Sequence, residues 1–169
     1  GSYIANHETA LLCAKKSGSI RAYADQDKRK KISFIFIGDK QIPKGNQLLS
    51  HQQSLDLLHT LDHELGHLVM PGGLYTATSS ADRDLLSENM AEAYAQLRHY
   101  QRFGTQQTRL THNGLELARS FVFNSKSYGT HYYYPTTRAI EKRKNNIDFK
   151  GLSVFDITGL ARRFALEFT

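Results

Sequence analysis

The stretch from Asn46 to Met70 constrains this chain more than any other. Its helical pattern opens between Asn46 and Ser50 and is stopped by Pro71-Gly72-Gly73. Within it Leu58, Leu61, Leu65, Leu68 and Val69 form a stripe, with His63 and His67 roughly opposite. Such a helix is expected to bury its leucines in a core and turn its histidines toward a cleft.

A second long helix is expected from Ala81 to Phe103, ended by Gly104, with Leu86, Met90, Ala93, Leu97 and Tyr100 on one face. Glu88 and Glu92, one turn apart, share another face. Lys31 to Ile37 is rich in β-branched and aromatic residues and reads as a strand ended by Gly38-Asp39. Further helices are expected over 6–16, 19–28, 113–123, 136–145 and 153–167. Residues 74–82 read as a loop, and Ser125 to Pro135 as an irregular, tyrosine-rich segment. The sum is an α+β domain, mainly helical with a small β-sheet. A chain of 169 residues suits a single domain over 1–169 and can bury a core without disulfides or a structural metal.

Composition then narrows the classes. With 40% hydrophobic and 22% charged residues the chain reads as an ordinary globular protein. No stretch approaches the roughly 20 apolar residues of a membrane span. Cys13, the single cysteine, excludes an internal disulfide, which fits work in a cytosol-type compartment. It is expected to be a packing residue on a helix. Gly1-Ser2-Tyr3 reads as a cleavage scar, so the chain is expected to be a piece of a longer protein. The net charge is +6, with basic runs at Lys28-Arg29-Lys30-Lys31 and Lys142-Arg143-Lys144. Neither run is interleaved with aromatic residues, so both read as solvated faces rather than a nucleic-acid platform.

The chemistry is concentrated in the first long helix. Histidines four apart on a helix lie about 40° apart around its axis and one turn along it. Two imidazoles can then bind one ion from the same face, while a Glu after the first His reaches a coordinated water. His63-Glu64-Leu65-Gly66-His67 has this arrangement. The third ligand must come from another element. In the Glu88/Glu92 pair one carboxylate can ligate while the other accepts the distal N–H of a ligating His. Asp82 and Asp84 are fallback ligands. His59, one turn before His63, reads as a satisfied or surface histidine, with support of a ligand, or ligation itself, as the alternatives. Gly66 costs about 1 kcal/mol relative to Ala inside a helix. Relief of crowding where another element approaches is its simplest account.

His63-Glu64-Leu65-Gly66-His67 together with Glu88-Asn89-Met90-Ala91-Glu92 resembles the gluzincin clan of metallopeptidases, over about 45 residues ending at Leu97. Glu88 lies 21 residues after His67, a spacing similar to the thermolysin-like enzymes. The run Glu88 to Tyr94 is also similar to the third-ligand helix of anthrax lethal factor-like toxin proteases. No His-x-x-Gly-x-x-His extension or Met-containing turn is present, which disfavours metzincins, and no Gly-Thr-x-Asp context suggests an aspzincin.

The resemblance implies a zincin-like fold, an active-site helix plus a third-ligand helix, and Zn²⁺ as cofactor. It implies His63, His67 and Glu88 as ligands and Glu92 as the residue steadying a zinc-bound His; the reverse assignment of the two glutamates stays open. It implies Glu64 as general base and a Tyr or His as oxyanion donor. Tyr75 is one candidate, but His131, Tyr132, Tyr133 and Tyr134 are favoured, with His131 and Tyr132 foremost. The strand Ile32 to Ile37 is implied as the rim along which an extended substrate pairs. A zinc endopeptidase acting as a monomer is therefore expected, as a bacterial effector or toxin delivered into host cytosol and cleaving a host protein. The alternative is a housekeeping or cell-wall-directed metallohydrolase of the producing organism. A non-enzymatic zinc-stabilised module and a basic nucleic-acid binder are the remaining readings.

Overall fold

The computed structural model describes residues 3–6, 10–15, 22–27, 32–38, 45–70, 80–106 and 134–168. Strands β1 (Tyr3–Asn6), β2 (Ala10–Lys15), β3 (Ala22–Asp27) and β4 (Ile32–Gly38) form one mixed sheet in the order β1-β2-β4-β3. Strand β4 alternates cleanly: Ser33, Ile35 and Ile37 are buried, while Phe34 and Phe36 are half-buried on the other face with rings stacked at 5.9 Å.

Two expectations fail here. The described parts of 6–16 and 19–28 are not helical: Asn6 ends β1, Ala10–Lys15 is β2 and Ala22–Asp27 is β3. Ala-Leu-Leu-Cys-Ala-Lys and Ala-Tyr-Ala-Asp-Gln-Asp carry weak strand preference by themselves. Pairing along both edges of β4 overrides it, parallel from Ala10↔Ser33 to Lys15↔Gly38 and antiparallel from Ala22↔Ile37 to Asp27↔Ile32. Cys13 accordingly sits in β2 opposite Phe36 and not on a helix. The same pairing corrects the placing of the rim strand. Both edges of Ile32 to Ile37 are occupied, so no substrate strand can add to it. Among the described residues β3 and β1 end the sheet, and it is β3 that packs most closely on the first helix.

Helix α1 runs His51–Val69. Ser50 caps it reciprocally: its hydroxyl accepts the Gln53 N–H at 3.1 Å and the Gln53 side chain accepts the Ser50 N–H at 2.8 Å. Such a cap contributes about 1 kcal/mol. Helix α2 runs Ser80–Phe103, so it begins inside the expected loop. It ends where Gly104 turns to a φ of +81° and donates its N–H to the Tyr100 carbonyl at 2.9 Å. Helix α3 spans Tyr134–Arg143, and short 3₁₀ turns at Lys144–Asn146 and Phe149–Gly151 lead into α4, Val154–Phe168. Helix α3 therefore starts before Thr136, with Pro135 in its first turn, where a missing N–H costs nothing. The helix expected over 113–123 lies outside the described residues.

The expected α2 stripe is the heart of the core. Leu86, Met90, Ala93, Leu97 and Tyr100 are all buried and pack with Ile140, Phe149, Ile157 and Phe164. The α1 leucines behave differently from expectation. Leu58, Leu61, Leu65 and Leu68 are only half-buried and Val69 is exposed, whereas Leu55, Asp62, Glu64, Gly66 and Met70 are buried. The side of α1 that packs on α2 is thus the polar and small-residue side, with Asp62 held by Arg102 of α2. The basic run at 142–144 is partly engaged within the fold: Lys144 is buried beside Glu141, and Arg143 pairs with Glu167 while lying over Phe164. The run at 28–31 lies outside the described residues. Among the described residues no helix is long and apolar enough to cross a membrane.

Candidate metal centre

The α1/α2 interface contains an alternating ladder of imidazoles and carboxylates. His59, His63 and His67 recur every four residues on α1, and Glu88 and Glu92 do so on α2, so the two rows interdigitate. His67 Nε2 lies 3.3 Å from Glu88 Oε1, and Glu88 Oε2 lies 3.0 Å from His63 Nε2. His63 Nδ1 lies 2.7 Å from Glu92 Oε2, and Glu92 Oε1 lies 2.7 Å from His59 Nε2.

This close approach of helices depends on Gly66. A Cβ built there meets the Ala91 backbone at 2.8 Å from Cα and 3.1 Å from the carbonyl oxygen. No side chain fits without moving α2, which is the crowding that the sequence pattern implied. Ala91 and Ala95, both fully buried, keep the facing side of α2 equally low.

One ligand atom from each of His63, His67 and Glu88 can be chosen so that all three lie within 4.8 Å of one another. Three donors held at about 2.0–2.1 Å by a tetrahedral ion sit about 3.4 Å apart. Each Nε2 lies near that spacing from one of the two Glu88 oxygens, His63 Nε2 at 3.0 Å from Oε2 and His67 Nε2 at 3.3 Å from Oε1. The remaining ring nitrogens are also accounted for, because His63 Nδ1 faces Glu92 and His67 Nδ1 faces Ser87 Oγ at 3.1 Å. Donation of each Nδ1–H to these oxygens would leave both Nε2 lone pairs for a shared ion once the imidazoles are neutral. The donor set therefore fits a divalent ion of the borderline kind that takes imidazole and carboxylate together.

Glu64 is buried next to these groups. Burial pushes its carboxyl above the usual range, against the opposing pull of His63 and His67, and the Ala24 backbone N–H of β3 also bonds to it. A partly desolvated carboxylate anchored at one side is well suited to take up a proton. His131, Tyr132, Tyr133 and Tyr75 lie outside the described residues, and Tyr134 is placed only as the first residue of α3. Asp82 and Asp84 belong to the first turns of α2, and their side chains lie outside the described residues. Sequence reasoning missed Ser87 as the partner of His67 and Ala24 as the partner of Glu64. It read His59 as a satisfied or surface histidine with support of a ligand only as an alternative, since nothing in residue spacing says that Glu92 of another element will face it.

Comparison with family models, with curated proteins and with solved structures finds no match to this chain.

The ladder makes the stability of the metal-free protein depend on pH. Burial alone would lower His63, but its hydrogen bonds to Glu88 and Glu92 outweigh this and raise it to about 10. Burial would raise both glutamates, yet the histidines hold them well below the carboxylate range, His63 and His67 acting on Glu88, and His59 and His63 on Glu92. A raised His63 stabilises the fold fully below its ordinary 6.5 and loses that contribution as pH climbs toward about 10. The lowered glutamates contribute above their ordinary 4.5 and lose it as pH falls. Chelator-treated protein is thus expected to melt at its highest temperature between these limits and to lose Tm above pH 6.5. Metal binding requires deprotonated imidazoles, so the Tm gained on adding a divalent ion should grow over the same alkaline range. Thermal melts from pH 5 to 9 check both slopes; a metal-free Tm that rises through this range contradicts the ladder.

Proposed function

We propose that this chain is a zinc-dependent metallopeptidase of the gluzincin kind, with His63, His67 and Glu88 as the zinc ligands. The observation that carries the reading is the convergence of two Nε2 atoms and the Glu88 carboxylate, each imidazole steadied from behind, with the buried Glu64 beside them. Zinc, when bound, supplies Lewis acidity toward a carbonyl and lowers the pKa of water to near neutrality.

The chain's own residues do the rest. Glu64 accepts the proton of the attacking water and passes it to the departing amine, a transfer favoured by its raised pKa. Glu92 and Ser87 hold His63 and His67 in the tautomer that presents Nε2. Strand β3, at the end of the sheet and bonded to Glu64 through Ala24, is the element beside which an extended peptide is read to lie. The oxyanion donor is assigned to the segment holding His131 and Tyr132. The substrate is read as a host cytosolic protein cleaved by a bacterial effector, supported by the toxin-protease likeness and the lone cysteine.

The test incubates zinc-loaded protein with animal-cell lysate and, separately, with bacterial cell-wall fragments, and maps new N-termini and released peptides by mass spectrometry. A small set of new termini in the lysate is the expected result. Cleavage of wall peptides alone would move the assignment to a metallohydrolase of the producing organism. No cleavage of either, with zinc bound, would leave a zinc-stabilised binding module.

A further inference from the structure

We infer that His59 is a positioning residue of the metal centre, acting through Glu92 to fix the orientation of His63; this rests on the metal-binding reading above. The geometry gives Glu92 two separate tasks. Its Oε2 receives the His63 Nδ1–H at 2.7 Å, and its Oε1 receives the His59 Nε2–H at 2.7 Å. A carboxylate accepts and does not donate, so the proton in the second bond belongs to His59 Nε2.

Burial makes this second bond consequential. The Glu92 side chain is only 11% exposed and that of His59 12%, so little water can replace either partner. A buried carboxylate with one oxygen unpaired bears the full cost of that oxygen's desolvation, the more so when charged. It relieves that cost by turning or by taking a proton, and either response weakens its hold on His63. The His59 ring has no competing duty: its Nδ1 is buried and has no hydrogen-bond partner among the described residues. The ring is also fixed to the same helix as the ligand it serves, one turn away. His59 and His63 therefore clamp Glu92 from two adjacent turns, and any rotation of the carboxylate must break a 2.7 Å bond at one end. His67 is served differently, by the Ser87 hydroxyl at 3.1 Å. The two imidazole ligands thus have unequal supports, the stronger one a charge-assisted three-residue chain.

The test measures zinc affinity by chelator competition for wild type, His59→Gln and His59→Leu, together with the visible absorption of each Co²⁺-substituted form. Gln keeps an N–H able to reach Glu92, whereas Leu keeps only bulk. His59→Leu is expected to bind zinc about 10–100-fold more weakly and to shift the Co²⁺ bands, with His59→Gln close to wild type in both. In a Glu92→Ala background His59→Leu should cause no further loss, since the residue acts through that carboxylate. Wild-type affinity in His59→Leu overturns the inference and leaves the metal centre standing. Equal weakening by Gln and Leu, or additive losses with Glu92→Ala, also overturns it. A wild-type chain that takes up no zinc overturns the metal reading itself, and the inference with it.

Discussion

Glu64→Gln should retain one zinc per chain and lose peptide hydrolysis by about 10²–10⁴-fold, the usual contribution of a positioned general base. Glutamine preserves the shape of the side chain and can still accept the Ala24 N–H through its carbonyl. It cannot accept the proton of an attacking water. Glu64 is not among the three converging ligands, so zinc content and Tm should change little. Because Glu64 is buried and its pKa is raised by that burial, the variant also removes a desolvated carboxylate, and a slight gain in stability accompanies the loss of rate. Initial rates on a peptide found in the lysate screen, with zinc counted by atomic absorption, check this. Full activity in Glu64→Gln would transfer the proton step to another group.

The second large effect belongs to Gly66. Gly66→Val should destabilise the metal-free protein by about 1–3 kcal/mol, the range for overpacking, and weaken zinc binding at least about tenfold, as loss of a ligand's support does. The opposing atoms are the Cα and carbonyl oxygen of Ala91, at 2.8 and 3.1 Å from a Cβ at position 66. These are backbone atoms, which no rotamer change can move aside. The helices must separate, and the bonds from Glu88 and Glu92 to His63, now 3.0 and 2.7 Å, lengthen together. Helix propensity alone argues the other way, since Gly is about 1 kcal/mol poorer than Ala. Gly66→Ala therefore decides between them. A more stable Gly66→Ala protein with unchanged zinc affinity would show that the close helix approach is not what holds the ladder.

Legibility followed the range of the interaction that decides each feature. Helices α1 and α2 could be read because their stops are local: Ser50 and Pro71 for one, Gly104 for the other. The strand Ile32 to Ile37 was equally plain from its β-branched and aromatic run. The first three strands were not, because Ala10 to Lys15 and Ala22 to Asp27 become strands only through β4, a partner many residues away. The same distance hid the true buried side of α1. Its leucines suggested a core stripe, but Gly66 and Asp62 face α2, an outcome fixed by Ala91 and Arg102 on another helix. Within the site, the His-Glu-x-x-His spacing and the four-residue step of the glutamates could be read directly. Ser87 and Ala24 could not, since a Ser before a Glu and an Ala in a strand carry no signal until their neighbours are placed.

X-ray absorption at the zinc edge, on protein loaded with one equivalent and matched with His63→Ala and Glu88→Ala, tests the metal centre most directly. One tightly held ion per wild-type chain, bound by two imidazoles and a carboxylate oxygen, is the expected result, with that shell lost or altered in both variants. Zinc surrounded only by water oxygens, or a wild-type spectrum unchanged by either substitution, would contradict it.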